Sequence, residues 1–189
     1  MDITLQVAFI GLVGTLMVAV YNSWQERERK RQEAEISYLS IQIAELYGPL
    51  LGLIKQSKSV YEVSLAALPS DGENQLRQNW SDTDWQTWRF LVENYLLKIN
   101  LQVAELINSK NHLLEDGQMP LSFEKFLKHT AQASCLYTLW KDKNISKKAD
   151  RNFAPYPETF EEDVQRSLNT LQAKYKSLLN KRHRSSSRR

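Results

Sequence analysis

The stretch Ile36-Ser-Tyr-Leu-Ser-Ile-Gln-Ile-Ala-Glu-Leu-Tyr-Gly-Pro-Leu-Leu-Gly-Leu53 decides the fold class. Ile36, Leu39, Ile43, Leu46, Leu50 and Leu53 recur at alternating intervals of three and four, which gathers them on one side of a helix. The pattern persists through Gly48-Pro49, although proline removes a backbone donor and clashes with the carbonyl four residues back, so a helix interrupted between Glu45 and Pro49 is expected. Two and a half heptads are too few for a coiled coil. Ser40, Ala44, Gly48 and Gly52 are small at every fourth position, a row against which another helix can press closely. Tyr47, Gly48 and Pro49 are therefore candidates for a ligand or partner contact, with a packing device as the alternative.

Toward the N-terminus the same helix has no obvious end. Neither glycine nor proline occurs between Gly14 and Gly48, so one rod of roughly 50 Å is predicted. Its middle, Gln25-Glu-Arg-Glu-Arg-Lys-Arg31, is densely charged. Before it, Ile3 to Tyr21 are nineteen residues without a charge, close to the roughly 20 that cross a bilayer as a helix. A cleaved signal peptide would place positive charge ahead of the apolar run, where this chain has Asp2. The expectation is a retained anchor over residues 1–24. Arg27, Arg29, Lys30 and Arg31 then hold the following chain in the cytoplasm and send the N-terminus outside, with Tyr21 and Trp24 at the inner headgroup level. Thr4, Ala8, Gly11, Thr15 and Ala19 occupy one arc of this helix, which suits either self-association in lipid or plain anchoring.

Toward the C-terminus the pattern stays helical. Leu68 to Gln75 reads as a loop, and Ser81-Asp-Thr-Asp84 as a helix start. Trp88, Val92, Leu96, Ile99, Val103, Leu106 and Leu113 continue at helical spacing, with a break expected near Asn100. Gly117, Pro120 and Ser122 close that element and cap the next, which carries Phe123, Phe126, Thr130, Ala133, Tyr137 and Trp140. Lys141 to Pro157 reads as a loop pinned by Phe153 and Tyr156. A last helix from about Glu158 carries Phe160, Val164, Leu168, Leu171, Tyr175 and Leu178, with acids at its start and lysines at its end, as the helix dipole favours. No alternating strand pattern and no sustained repeat occurs.

Charge is unevenly placed. The net +3 conceals five cations in residues 181–189, so the body is nearly neutral and the tail is basic. The single Cys135 excludes an internal disulfide and reads as a small core side chain. His112, His129 and His183 lack a metal-ligand spacing, and the six glycines form no phosphate-cradling loop or nucleophile elbow, so no metal, cofactor or catalytic residue is assigned. Asn108, Asn111 and His112 form the most prominent polar cluster, able to bind a ligand or to hydrogen-bond neighbouring backbone. His129 can join them across a bundle and sense protons or an anion. Trp80, Trp85 and Trp88, with Arg77 and Arg89, can stack bases or pin a loop on the core. Nucleic-acid binding is not expected except through the tail, which suits anionic lipid or a solvated, disordered end equally.

The juxtamembrane helix together with Glu45-Leu-Tyr-Gly-Pro-Leu50, Asn108-Ser-Lys-Asn-His-Leu113, Phe126-Leu-Lys-His129 and Tyr156-Pro-Glu-Thr-Phe160 resembles uncharacterised bacterial single-pass membrane proteins with a cytosolic helical domain. The resemblance covers most of the chain and implies a bacterial inner-membrane location, with no activity to carry over. The whole expectation is an all-α protein. A single N-terminal transmembrane helix (1–24) continues as a charged juxtamembrane helix (25–35) into a cytosolic bundle of about four to five helices (36–180) and a basic tail (181–189). Its partners are the lipid bilayer, a second copy through the transmembrane helix and a cytosolic protein. Its function is a non-enzymatic interaction or sensing module. A pore-forming toxin or antiphage effector is the rival, and an enzyme using Asn111, His112 and His129 a third reading.

Overall fold

A computed structural model describes residues 3–69, 80–143 and 154–186, without the side chains of residues 3–11, 116, 142–143 and 183–186. The all-α expectation holds: the described residues form four continuous helical stretches and no strand. The first comprises α1 (Ile3–Gln42), one π-helical turn (Ile43–Tyr47) and α2 (Gly48–Ala67). The second comprises α3 (Asp82–Leu91), another π turn (Val92–Leu96) and α4 (Leu97–Ser109). Two short 3₁₀ turns, Asn111–Leu113 and Glu115–Gly117, lead to α5 (Leu121–Lys143), and α6 spans Phe160–Ser186. Gly117 closes the connection at φ +67°, a left-handed backbone that side chains disfavour.

The interruption expected at Glu45 to Pro49 is the first π turn. Pro49 has no N–H, and in an unbroken α-helix its ring would meet the Glu45 carbonyl. Widening the preceding turn relieves that conflict, and the Gly48 N–H donates instead to the Ile43 carbonyl five residues back. The extra residue rotates the buried face. Leu39, Gln42, Leu46, Tyr47, Leu50, Leu51 and Ile54 are buried, whereas Ile36, Ile43 and Leu53 of the expected stripe are only half-buried. The small-residue row is corrected too: Ser40, Ala44 and Gly52 are exposed, and a Cβ at Gly52 would meet nothing within 4 Å.

The break expected near Asn100 lies instead at Val92–Leu96, where the Leu97 N–H donates to the Val92 carbonyl. Asn100 sits within α4, buried, and its Oδ1 accepts from the Ser57 hydroxyl of α2 at 3.0 Å. From the end of the π turn onward the buried apolar positions are Leu96, Ile99, Val103 and Ile107, so Ile107 takes the place expected of Leu106. The start at Ser81 is borne out as a reciprocal capping box with Asp84. Trp80, Trp85 and Trp88 pack with Leu68 and Leu96, and the Trp80 ring N–H donates to the Pro69 carbonyl at 3.1 Å. They are core, and Arg89 lies over the Trp140 ring at 5.9 Å; Arg77 falls outside the described residues. Most of the loop expected at 68–75 also falls outside them, as does Phe153.

Ser122 does not cap α5. It lies inside the helix, buried, and Phe123 and Glu124 donate their N–H groups to the Pro120 carbonyl. Cys135 is exposed rather than core. The last stripe holds: Phe160, Val164, Leu168 and Leu171 are buried, and Phe160 stacks on Phe126 with ring centroids 4.4 Å apart.

The chain divides into two compact units. One joins residues 1–40 to 173–189, where Lys174 pairs with Glu35 at 3.0 Å and Arg182 with Glu33 at 3.3 Å. The other, residues 41–172, holds α2, α3, α4 and α5, with α2 packed on α4 and α4 on α5. Among the described residues no helix is long and apolar enough to cross a membrane. The uncharged run enters that description with its side chains only from Leu12 onward.

Candidate functional site

The first π turn is where chain segments distant in sequence converge. Gln42, buried one residue before it, donates its side-chain amide to the Leu113 carbonyl at 2.9 Å. Glu45, inside it, accepts from the Lys110 ammonium at 2.6 Å. Tyr47, at its end, accepts the Glu115 N–H on its hydroxyl oxygen at 3.1 Å. Three residues spaced by three and two along one turn thus grip the Lys110–Glu115 connection between α4 and α5. The hydrogen bond and charge of Lys110 hold the Glu45 carboxyl below its ordinary range, and His112 adds to that effect.

The structure brings together part of the expected group. Tyr47 and Gly48 lie on the π turn and its exit, Pro49 is exposed in the first turn of α2, and His112 lies near enough to act on Glu45. Asn108, Asn111 and His112 are exposed rather than half-buried. Gln42, Glu45, Lys110 and Glu115 escaped sequence reasoning. The only signal for Gln42 was its place one residue before Ile43, which becomes inward only after the π turn rotates the face.

His129 takes its described contacts elsewhere. Its Nδ1 lies 2.7 Å from the Ala154 carbonyl, and since a carbonyl can only accept, Nδ1 carries the proton. One turn on, Gln132 Oε1 accepts the Ala154 N–H at 2.7 Å, so two α5 side chains hold both polar groups of one loop residue. Tyr156 packs edge-on against His129 and Phe126, at 5.5 and 5.7 Å between ring centroids. Burial pushes the His129 imidazole below its ordinary range, opposed by the Ala154 hydrogen bond.

The second π turn carries an acid in the same manner. Glu93 accepts from the Tyr137 hydroxyl and from Lys141 of α5 at 3.2 Å, and these two bonds, the first above all, hold its carboxyl below the usual range. Among the described residues no three His, Cys, Asp or Glu side chains gather as a metal site requires.

The residues expected at the membrane form a second surface. Leu12, Leu16, Met17, Val18, Val20, Tyr21 and Trp24 are all more than half exposed, and Val13, Leu16, Met17, Val20, Tyr21 and Trp24 line an open apolar groove on α1. Tyr21 accepts a hydrogen bond from Gln25 at 2.6 Å. Thr15 returns its hydroxyl to the Leu12 carbonyl at 2.9 Å, which satisfies its polar atom within the helix. Ala19 is exposed four residues on, and the side chains of Thr4, Ala8 and Gly11 lie outside the described residues. No protein-family model, curated protein or solved structure matches the chain.

Proposed function

We propose that this chain is a membrane-anchored, non-enzymatic interaction module of a bacterial inner membrane, with the helices after Tyr21 in the cytoplasm. The observation that carries the reading is the exposure of Leu12, Leu16, Met17, Val18, Val20, Tyr21 and Trp24 along α1. A helix apolar on every face is stable only when something apolar surrounds it. Each large side chain withdrawn from water contributes about 2 kcal/mol, so lipid around this segment supplies a substantial driving force. The sequence ahead of Leu12 extends the uncharged run to Ile3, and Arg27, Arg29, Lys30 and Arg31 follow it on the side that stays in the cytoplasm.

The interacting surface is the π turn and the connection it grips. Exposed Asn108, Asn111, His112 and Pro49 surround bonds that link the end of α1 and the π turn to the connection between α4 and α5. A partner that binds these side chains shifts the balance between the gripped and released connection, and with it the register of the helix at Ile43–Tyr47.

The test is extraction. Full-length protein made in bacteria stays in the membrane pellet at alkaline pH, whereas Leu16→Arg, which places a charge inside the apolar run at a cost of about 3 kcal/mol, moves a large fraction into the supernatant. Wild-type protein recovered in the aqueous fraction would refute the anchor.

A further inference from the structure

We infer that α6 completes a cationic collar for anionic phospholipid headgroups, a surface that α1 alone does not provide; this rests on the membrane-anchor reading above. Although basic, residues 26–33 of α1 hold four cations against three carboxylates, Glu26, Glu28 and Glu33. Two of those cations are also paired locally, Lys30 with Glu26 at 3.1 Å and Arg29 with Glu33 at 4.0 Å. The helix beneath the apolar segment is thus nearly neutral.

The missing charge comes from the other end of the chain. Within the unit formed by residues 1–40 and 173–189, Lys174 meets Glu35 and, further along α6, Arg182 meets Glu33. From Lys174 to Arg182 the paired carboxylate on α1 moves back from Glu35 to Glu33. The Arg182–Glu33 pair sets the Lys181 and Arg182 part of α6 beside the 26–33 segment of α1. Lys181 and Arg182 are both exposed. Their arrival raises the collar from one net positive charge to three. Arg27 and Arg31 form no ion pair among the described residues and are exposed.

Position selects the ligand. The collar lies about one turn below Trp24 and two below Tyr21, rings that favour the headgroup region, and the exposed apolar segment begins directly above them. Cations set next to an apolar band match a phospholipid, whose phosphate and acyl chains are adjoining. A nucleic acid offers no partner for the band. Phosphatidylglycerol is the simplest lipid with the required net negative charge.

The experiment measures lipid selectivity of the full chain reconstituted in phosphatidylcholine bilayers containing trace spin-labelled phosphatidylglycerol or spin-labelled phosphatidylcholine. The motionally restricted fraction of each label reports association with the protein. Phosphatidylglycerol is expected to be favoured about fivefold for each net charge near the surface, a preference screened away in about 0.5 M salt. Lys181→Gln with Arg182→Gln lowers it at least fivefold, and Glu26→Gln with Glu28→Gln, which leaves Glu33 to hold Arg182, raises it, a gain that a folding defect would not produce. Equal association of the two labels, or a preference that survives loss of Lys181 and Arg182, overturns the collar while leaving the anchor intact. If neither label is restricted, the anchor reading fails, and cosedimentation with vesicles decides the collar. Salt-sensitive binding to phosphatidylglycerol but not phosphatidylcholine vesicles sustains it, and binding to neither overturns it.

Discussion

Gly48 lacks a side chain because a Cβ there would stand 2.8 Å from the Ile43 carbonyl oxygen, the acceptor that closes the π turn. Backbone cannot swing aside as a flexible side chain can. Gly48→Ala is therefore expected to cost about 1–3 kcal/mol in urea unfolding, through strain at a site that cannot relax. Gly52, four residues on and equally helical, has open space around it, so Gly52→Ala should stabilise by about 0.5–1 kcal/mol from helix propensity alone. Equal effects of the two substitutions would show that the π turn is not what demands Gly48. Thr130 gives the opposite case. Its side chain is buried in α5 with a hydroxyl that has no hydrogen-bond partner among the described residues, so its desolvation is not compensated there. Thr130→Val keeps the shape and removes the unmet group, and a gain of about 1 kcal/mol in unfolding free energy is expected.

At the level of elements, how much could be read ahead depended on whether a local rule governed the segment. The α6 stripe was legible because Phe160, Val164, Leu168 and Leu171 follow an uninterrupted helical period. The first π turn was legible as an interruption, since Gly48-Pro49 announces it, but not as a rotation that brings Gln42 inward and Ile43 partly out. The second, at Val92–Leu96, contains neither glycine nor proline, so no residue marked it and the break was expected past its end, near Asn100. Tyr156 was legible as a pin for the segment before α6, and it packs on Phe126 and His129, but the hydrogen bond between His129 and Ala154 was not, because only tertiary contact joins them. That pairing has a pH signature. Burial lowers the His129 value in the folded state, so above about pH 6.5 the ring is neutral folded or unfolded and adds no slope. Between that value and the lowered one, only the unfolded chain takes the proton, and stability falls as pH falls through this window before levelling out. His129→Asn retains an amide N–H for the Ala154 carbonyl but cannot titrate. The urea midpoint of the variant should change less than wild type between pH 7.5 and pH 5.5, and identical slopes would remove His129 as the cause.

For the whole molecule, the residues of the candidate site were legible only as two separate groups, at the Gly48-Pro49 bend and at Asn108 to His112, and not as one attachment. Tyr47, Gly48 and His112 do lie around one place, yet the bonds that define it join Gln42 to Leu113 and Glu45 to Lys110, separations of 71 and 65 residues that no spacing rule encodes. The apolar segment poses the reverse case, since its composition is plain and its partner is not. On the proposed anchor reading lipid alone satisfies Leu16, Met17 and Val20, but on the arc of Thr15 and Ala19 the short side chains leave the backbone approachable, and the Thr15 hydroxyl is already spent on Leu12. In lipid, where apolar surface gives no preference for protein over acyl chains, close backbone approach is what favours a second copy. The full chain in mild detergent is therefore expected to have the mass of more than one copy. Thr15→Leu with Ala19→Leu fills the arc while raising apolarity, so it should weaken association by about 1–2 kcal/mol, roughly tenfold, without reducing membrane retention. A monomeric wild-type mass at concentrations well above the critical micelle value, or an assembly indifferent to both leucines, would assign the arc to anchoring alone.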